Sequence, residues 1–286
     1  MHYLIEEGYI PFDKSWIIRL GVLDLLNNKN TIDEFLDNNQ QKLSDDLLSL
    51  QTAIQDWRNN EPIRVGESGT LCRFLKFAAW ARGEEREFVK KGTLIERDLY
   101  KPTSQWQSAA YLCGAIDKQP TDHPKIQLTY DAVDHWNETK ETAWTPRYDN
   151  TILQQAITFL DRHFNCPATF SPESSEDYCF ARTFGYIFRP DAEKQWPELA
   201  DHESNRFVEM DKAIKQVRSE QTITSPDHRV VQAAVMHQVL TGYPINVTNK
   251  DAVNKSWPQF WSFIENLYNF KDRVKANAYV KNPYIK

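Results

Sequence analysis

An α/β or α+β chain built from repeated units is the fold class the sequence predicts, on three observations. Short strand-like stretches alternate with apolar helical stretches along most of the chain. Four of the apolar helices open on a short polar cluster. These are Asp13-Lys14-Ser15 before IIRLGVLDLL, Gly66-Glu67-Ser68-Gly69-Thr70 before LCRFLKF, Thr103-Ser104-Gln105 before WQSAAYLCGAI, and Asp227-His228-Arg229 before VVQAAVMHQVL. Finally, 286 residues with 41% hydrophobic and 13% aromatic content can bury a substantial core in one large or two medium domains.

Residues 1 to 13 read as a short strand and turn broken at Pro11. Asp13 caps a helix over 15 to 26 whose residues are apolar nearly all round, which predicts burial. Lys14 and Arg19 then stand at or near the mouth of a buried element, either serving a ligand or snorkelling to solvent. Asp24 is open to two readings, facing water or pairing with one of them. The acidic stretch from Asn27 to Pro62 fits one or two surface helices with Leu43, Leu47, Leu48, Leu50 and Ile54 inward. Arg64 and Val65 end a strand before the Gly-Glu-Ser-Gly turn. Two glycines there allow close backbone approach, and the helix that follows points its free N–H groups outward, with Arg73 one turn inside. Such a mouth suits a phosphate or carboxylate. The bland alternative is an ordinary capped surface helix.

The charged run ARGEEREFVKKGTLIERDLY reads as a solvated face. Ser108 to Ile116 reads as a helix of small residues, and KIQLTYDAV, which alternates apolar and polar, as a strand. A helix TILQQAITFLDRHF follows, then a turn region with a short strand ATF, then a helix EDYCFARTFGYIF opened by Ser174-Ser175. Residues 189 to 202 look loop-like. The helix FVEMDKAIKQV starts near Arg206, GYPINVTN reads as a strand, and QFWSFIENL as a helix; the basic tail has no clear period.

A net charge of −6 argues against a general nucleic-acid or membrane-surface binder. No signal peptide and no span-length apolar run is visible, so a cytoplasmic protein is expected. Cys72, Cys113, Cys166 and Cys179 form no CxxC pair and read as buried free thiols. No metal-ligand spacing is present, and no cofactor is expected.

In order, these clusters resemble the 5-enolpyruvylshikimate-3-phosphate synthase family of enolpyruvyl transferases. FDKSWIIRLGVLDLL is similar to the family's Gly-x-Lys-Ser…Arg opening, ESGTLCR to its Asn-Ala-Gly-Thr-x-x-Arg loop, and Glu96-Arg97-Asp98-Leu99 to its Glu-Arg-Pro-Ile element. Thr103-Ser104-Gln105 resembles its Ser-Ser-Gln helix start, Thr145-Pro146-Arg147-Tyr148-Asp149 its Ser-Lys-Pro-Tyr-Ile motif, and SSEDYCF its Ser-Ser-Ala-Ser-Tyr start. SPDHRVVQAAV and AVNKSWPQFWSFIENL resemble its Asp-His-Arg and Lys-Ser-x-Pro-x-Phe-Phe signatures. The collinear match runs from Ile10 to Leu267.

The resemblance implies a two-lobed fold of βαβαββ units, some truncated. One lobe covers residues 14–165; the other joins 1–13 to 166–286, with the ligand cleft between them. It implies a monomer that transfers the enolpyruvyl group of phosphoenolpyruvate to a hydroxyl of shikimate 3-phosphate or a related phosphorylated acceptor, in aromatic amino acid biosynthesis. The matching phosphoenolpyruvate positions are Lys14, Gly69, Arg97, Gln105, Arg206, Arg229 and Lys255. The acceptor would meet Ser15, Arg19, Thr103, Ser104, Gln105, Thr145 and Tyr148, and the acid/base candidates are Lys14, Glu203, His228 and Lys255.

Departures accompany the match. There is no room between Arg97 and Thr103 for the family's intervening helix and strands, and one repeat's worth or more is missing between Ser175 and Asp227. The catalytic Asp has no secure counterpart, with Asp177 as a substitute candidate. His202 stands where the Lys-Glu-x-Asp-Arg motif has lysine, and Glu67 where the Gly-Thr loop has asparagine. The alternative is therefore a relative that binds an anion or a partner without turnover.

Overall fold

The computed structural model describes residues 3–97, 104–139, 146–201 and 205–281. The chain divides into two compact units, Phe12–Arg147 and Met1–Pro11 with Tyr148–Lys286. The boundaries therefore fall at 11–12 and 147–148 rather than at 13–14 and 165–166. The helix at 150–163 belongs with the termini because Ile152, Ala156, Phe159 and Leu160 pack into that unit's core.

Within Phe12–Arg147 the helices are α2 (Lys14–Leu26), α3 (Asp33–Asn38), α4 (Asp45–Asn59), α5 (Gly69–Ala81), α6 (Ser104–Leu112) and α7 (Pro124–Thr139); α1 (Tyr3–Glu6) precedes them in the other unit. Strands β1 (Ile63–Gly66) and β2 (Phe88–Lys90) pair in parallel, with Ile63 opposite Phe88 and a register shift before Gly66. The unit is organised around α2, which packs against α4, α5 and α7. Its ten residues from Trp16 to Leu25 are all buried, as an apolar helix without a polar face must be. Asp24 neither faces water nor pairs with Lys14 or Arg19. It is buried and accepts hydrogen bonds from the Thr31 hydroxyl, the Ile32 N–H and, at 2.9 Å, Trp136 Nε1 of α7.

The other unit contains α8 (Asn150–His163), α9 (Tyr178–Thr183), α10 (Arg189–Gln195), α11 (Arg206–Arg218), α12 (His228–Thr241), α13 (Phe260–Glu265) and α14 (Lys271–Lys281). Here α12 is central, against α8, α9, α11 and the 3-10 turn Lys250–Lys255. Asp227 caps its start and Gly242, at φ 74°, ends it in the left-handed region that glycine tolerates. Trp257, Phe260, Phe263 and Phe270 fill the core, and Trp257 Nε1 donates to the Tyr9 carbonyl at 2.7 Å, holding the N-terminal segment.

Several expectations are corrected. The described residues are mostly helical and contain two strands, a mixed α/β composition at most, rather than the many strands that βαβαββ units require. KIQLTYDAV lies in α7: its alternation is short, and the buried set Ile126, Thr129, Tyr130 and Trp136 follows the helical period once the segment is extended. The opening segment holds the short helix α1, not a strand. ATF is not a strand, and of GYPINVTN only Val247 bridges, to Ile223. The charged run after α5 hides β2. Residues 189–201 are not a loop: Ala192, Trp196 and Leu199 anchor α10 and the turn Pro197–Asp201. The helix after Ser174-Ser175 is a 3-10 turn and α9, ending at Thr183. α6 starts four residues earlier than expected and stops before Gly114, at φ 71°. Leu48 points outward, 37% exposed, and the tail forms α14. Cys72 and Cys179 are buried, Cys113 and Cys166 half-buried, and none of the four is in a disulfide.

Candidate functional site

Each unit gathers polar residues at the N-terminal ends of its helices. In Phe12–Arg147 the gathering is around the start of α5, where the Leu71 N–H donates to Ser68 Oγ and Gly69 is the first helical residue. A Cβ on Gly69 would stand 2.9 Å from Arg97 Nη1 and 3.4 Å from Arg73 Nη1, so both guanidinium ends lie beside the helix start. Arg73 donates to Gln105 Oε1, Gln105 Nε2 donates to Thr70 Oγ1 at 3.2 Å, and Arg97 Nη2 donates to Thr93 Oγ1 at 3.1 Å. Gly69, Arg97 and Gln105, separated by up to 36 positions in sequence, are thus brought together with Thr70 and Arg73. Two arginines beside the free N–H groups of a helix start form an environment suited to an oxyanion.

Elsewhere in that unit, Lys14 opens α2 and its Nζ lies 2.6 Å from Asp46 Oδ2 in the first turn of α4. Sequence reasoning passed over Asp46, although Ser44-Asp45-Asp46 carries a helix-start signal. Ser15 is half-buried, and its carbonyl accepts from Arg19 Nη1 at 2.6 Å. Arg19 is 2% exposed; its Nε donates to Thr129 Oγ1 at 2.8 Å and its Nη2 to the Lys125 carbonyl at 3.2 Å, over the Phe74 ring. These contacts make Arg19 a clamp between α2 and α7. Ser104 is the first residue of α6. Thr103 and Thr145 lie outside the described residues.

In the other unit the gathering is around the start of α12. Asp227 accepts the Arg229 N–H at 2.9 Å as helix cap and receives Arg206 Nε at 2.8 Å on its other oxygen. The two side chains of that ion pair are 4% and 0% exposed. His228 Nδ1 lies 3.9 Å from Asp227 Oδ1. Arg229, 3% exposed, donates from Nη2 to Glu176 at 2.9 Å, with Asp149 Oδ2 at 3.8 Å. Its buried Nη1 has no hydrogen-bond acceptor among the described residues. One turn along α12, Gln232 Nε2 donates to Ser256 Oγ at 3.0 Å, which sets the segment bearing Lys255 against the same helix. Lys255 itself is half-buried. Tyr148 belongs to this unit and packs against its core. Glu203 lies outside the described residues, and Asn205 caps α11 in front of Arg206.

Asp149, Glu176 and Gln232 are the residues that sequence reasoning missed here. The signals were present: Asp149 directly precedes an amphipathic helix, Glu176 sits in Ser-Ser-Glu-Asp, and Gln232 is the one polar residue in VVQAAV.

Asp177 is buried and accepts from Gln155 Nε2 at 2.9 Å and from the Glu173 and Ser174 N–H groups. Burial raises its carboxyl above the usual 3.8 and outweighs those hydrogen bonds and nearby Arg229, which act the other way. The folded state therefore holds this proton to higher pH than the unfolded chain does. Its contribution to stability is fullest below 3.8 and is lost as pH rises through the raised folded value. We expect the unfolding free energy of Asp177→Asn minus that of the native chain to increase between acidic and neutral pH. Urea titrations at a series of pH values measure this, and a flat or falling difference contradicts it.

Burial pushes the Cys179 thiol, within electrostatic reach of Arg206 and Arg229, up to about 12, which removes it as a nucleophile at neutral pH. Among the described residues no group of three or more His, Cys, Asp or Glu is placed to hold a metal ion, and no helix is long and apolar enough to cross a membrane. No family model, curated protein or solved structure matches the chain.

Proposed function

We propose that the chain is a shortened enolpyruvyl transferase that moves the enolpyruvyl group of phosphoenolpyruvate to a hydroxyl of shikimate 3-phosphate or a related phosphorylated acceptor. One observation carries the reading: motif residues scattered from Gly69 to Arg229 lie in two arginine-bearing gatherings at helix starts, one in each unit. In this reading the helices of the family's repeats persist while most strands are lost. The anion-binding candidates are Arg206, Arg229 and Lys255 in the unit built around α12 and Lys14, Gly69, Arg97 and Gln105 in the unit built around α2; the acceptor candidates are Ser15, Thr103, Ser104, Thr145 and Tyr148.

The acceptor oxygen forms a bond to C2 of phosphoenolpyruvate as a proton is added at C3, giving a tetrahedral intermediate. The acceptor's hydroxyl proton passes to a base. The C2–phosphate oxygen bond then breaks, phosphate leaves, and loss of a proton from C3 restores the double bond. Lys14, Glu203, His228 and Lys255 are the acid/base candidates, with Asp177, on the 3-10 turn beside Glu176, as a substitute carboxyl. Loss of one such group costs about 10²–10⁴ in rate while binding survives.

The second reading, an anion-binding relative without turnover, is favoured by three ion pairs. Asp46 faces Lys14, Asp227 faces Arg206 and Glu176 faces Arg229, so each of these cations already has a carboxylate. Phosphate release from phosphoenolpyruvate, with and without shikimate 3-phosphate, separates the two. The transferase reading expects release that needs both substrates and is lost in Arg229→Ala. A melting shift with phosphoenolpyruvate but no release favours the binding protein, and neither response sinks both.

A further inference from the structure

We propose that Glu176 is an exchangeable counter-ion that selects the ligand of Arg229, admitting phosphate-type dianions and turning simple carboxylates away. The inference deepens the reading above and rests on Arg229 being an anion site. Arg229 is 97% buried (3% exposed) at the head of α12, and among the described residues its guanidinium has one hydrogen bond, to Glu176. Its second terminal nitrogen, Nη1, is buried and has no acceptor among the described residues, so the guanidinium fork is half used. Glu176 is the exposed member of the set: its side chain is 25% exposed and sits on the three-residue 3-10 turn Ser175–Asp177. Asp149, 3.8 Å from Nη2, is held in place as the cap of α8, where it accepts the Ile152 N–H. The neighbouring Arg206 is matched by Asp227.

An incoming anion must therefore contend with a carboxylate that is already tethered. Tethering gives Glu176 an effective concentration of about millimolar or more at Arg229. A free carboxylate that replaces it exchanges one ion pair for another of the same kind and loses translational freedom, so no net binding results. A free carboxylate and a phosphate can each offer a second oxygen to the unfilled Nη1, but only the phosphate dianion also brings a second charge. Phosphoenolpyruvate carries that charge and pyruvate does not. Glu176 swings to solvent in the exchange, which its partial exposure and the short turn permit.

Titration calorimetry and melting at fixed ionic strength test this with inorganic phosphate, phosphoenolpyruvate, acetate and pyruvate on the native chain, Glu176→Gln and Glu176→Ala. Gln keeps an oxygen facing the guanidinium, and Ala provides a second variant should Gln perturb folding. The native chain is expected to bind the two phosphates and neither carboxylate. Both variants are expected to bind phosphate about ten- to a hundredfold more tightly, the size of a charged hydrogen bond, and to bind pyruvate and acetate as well. Adding Arg229→Ala to Glu176→Gln is expected to abolish the gain. Variants that bind phosphoenolpyruvate as the native chain does, with selectivity unchanged, overturn the counter-ion role and leave the transferase reading standing. Variants with the gain but a native chain without phosphate release support Glu176 and count against the transferase. If no folded chain binds any of the four anions, both fall.

Discussion

Asp227→Asn is expected to destabilise the unit built around α12 by about 3–5 kcal/mol, the usual consequence of leaving a buried partner charge unmatched. The substitution is nearly isosteric and keeps one oxygen that can accept the Arg229 N–H, so the helix cap survives. What disappears is the negative charge facing Arg206 at 2.8 Å in a pair with side chains 4% and 0% exposed. The amide also presents a donor where Arg206 Nε is a donor. Asp227→Ala is expected to cost about 1 kcal/mol more, because the cap is lost as well. A lower urea midpoint with an unchanged slope measures the effect. A loss below about 1 kcal/mol in Asn would mean that Arg206 is not held in the interior by Asp227, and the ion pair would then rank with weak exposed ones. The same pair bears on function: Arg206 in its place is a precondition for any anion contact it makes, so the stability result sets how its binding variants are read.

Arg19→Ala is expected to cost the unit around α2 about 3–5 kcal/mol, with binding of phosphoenolpyruvate by the folded fraction unchanged. Three contacts vanish at once: the Nε bond to Thr129 and the bonds to the Ser15 and Lys125 carbonyls. Hydrogen bonds from a charged donor contribute about 1.5–3 kcal/mol each, and truncation removes that donor, although the Lys125 carbonyl keeps the Thr129 and Ser108 hydroxyls. The stem and guanidinium also fill the space over Phe74, so a void opens between α2, α5 and α7. Arg19→Lys is expected to recover only part of the loss, since an ammonium cannot reproduce the planar set of donors. Melting and calorimetry on both variants decide the matter. Weakened acceptor binding with little loss of stability would return Arg19 to the acceptor role that its position after Lys14-Ser15 predicts.

Arg19 also shows why a site cannot be read from motif position alone. Its place one turn into an apolar helix predicts either a ligand contact or a side chain reaching solvent. Which neighbour lies over that turn depends on α7, more than a hundred positions away. The α7 segment reads as a strand because Ile126, Leu128, Tyr130 and Ala132 alternate as a half-buried strand would, while Trp136 and the buried Thr129 belong to a helical face. Glu176 is the same lesson at the other cluster: its chemistry is visible in Ser-Ser-Glu-Asp, but its partner across 53 positions is not.

From sequence alone come the two central helices, the cap at Asp13 and the close-approach glycines before α5, while the resemblance sets Gly69, Arg97 and Gln105 side by side. The helices, the cap and the glycines follow from local rules: burial on all faces of an apolar helix, a side-chain oxygen for orphan N–H groups, and a residue without Cβ where the backbone approaches a neighbour closely. Only tertiary structure decided that strands are few, that Arg19 clamps α2 to α7, and that Asp46, Asp227 and Glu176 face Lys14, Arg206 and Arg229. The physical reason is that a charge's neighbours at 3 Å are set by how helices pack, and packing is a property of surfaces brought together from distant parts of the chain.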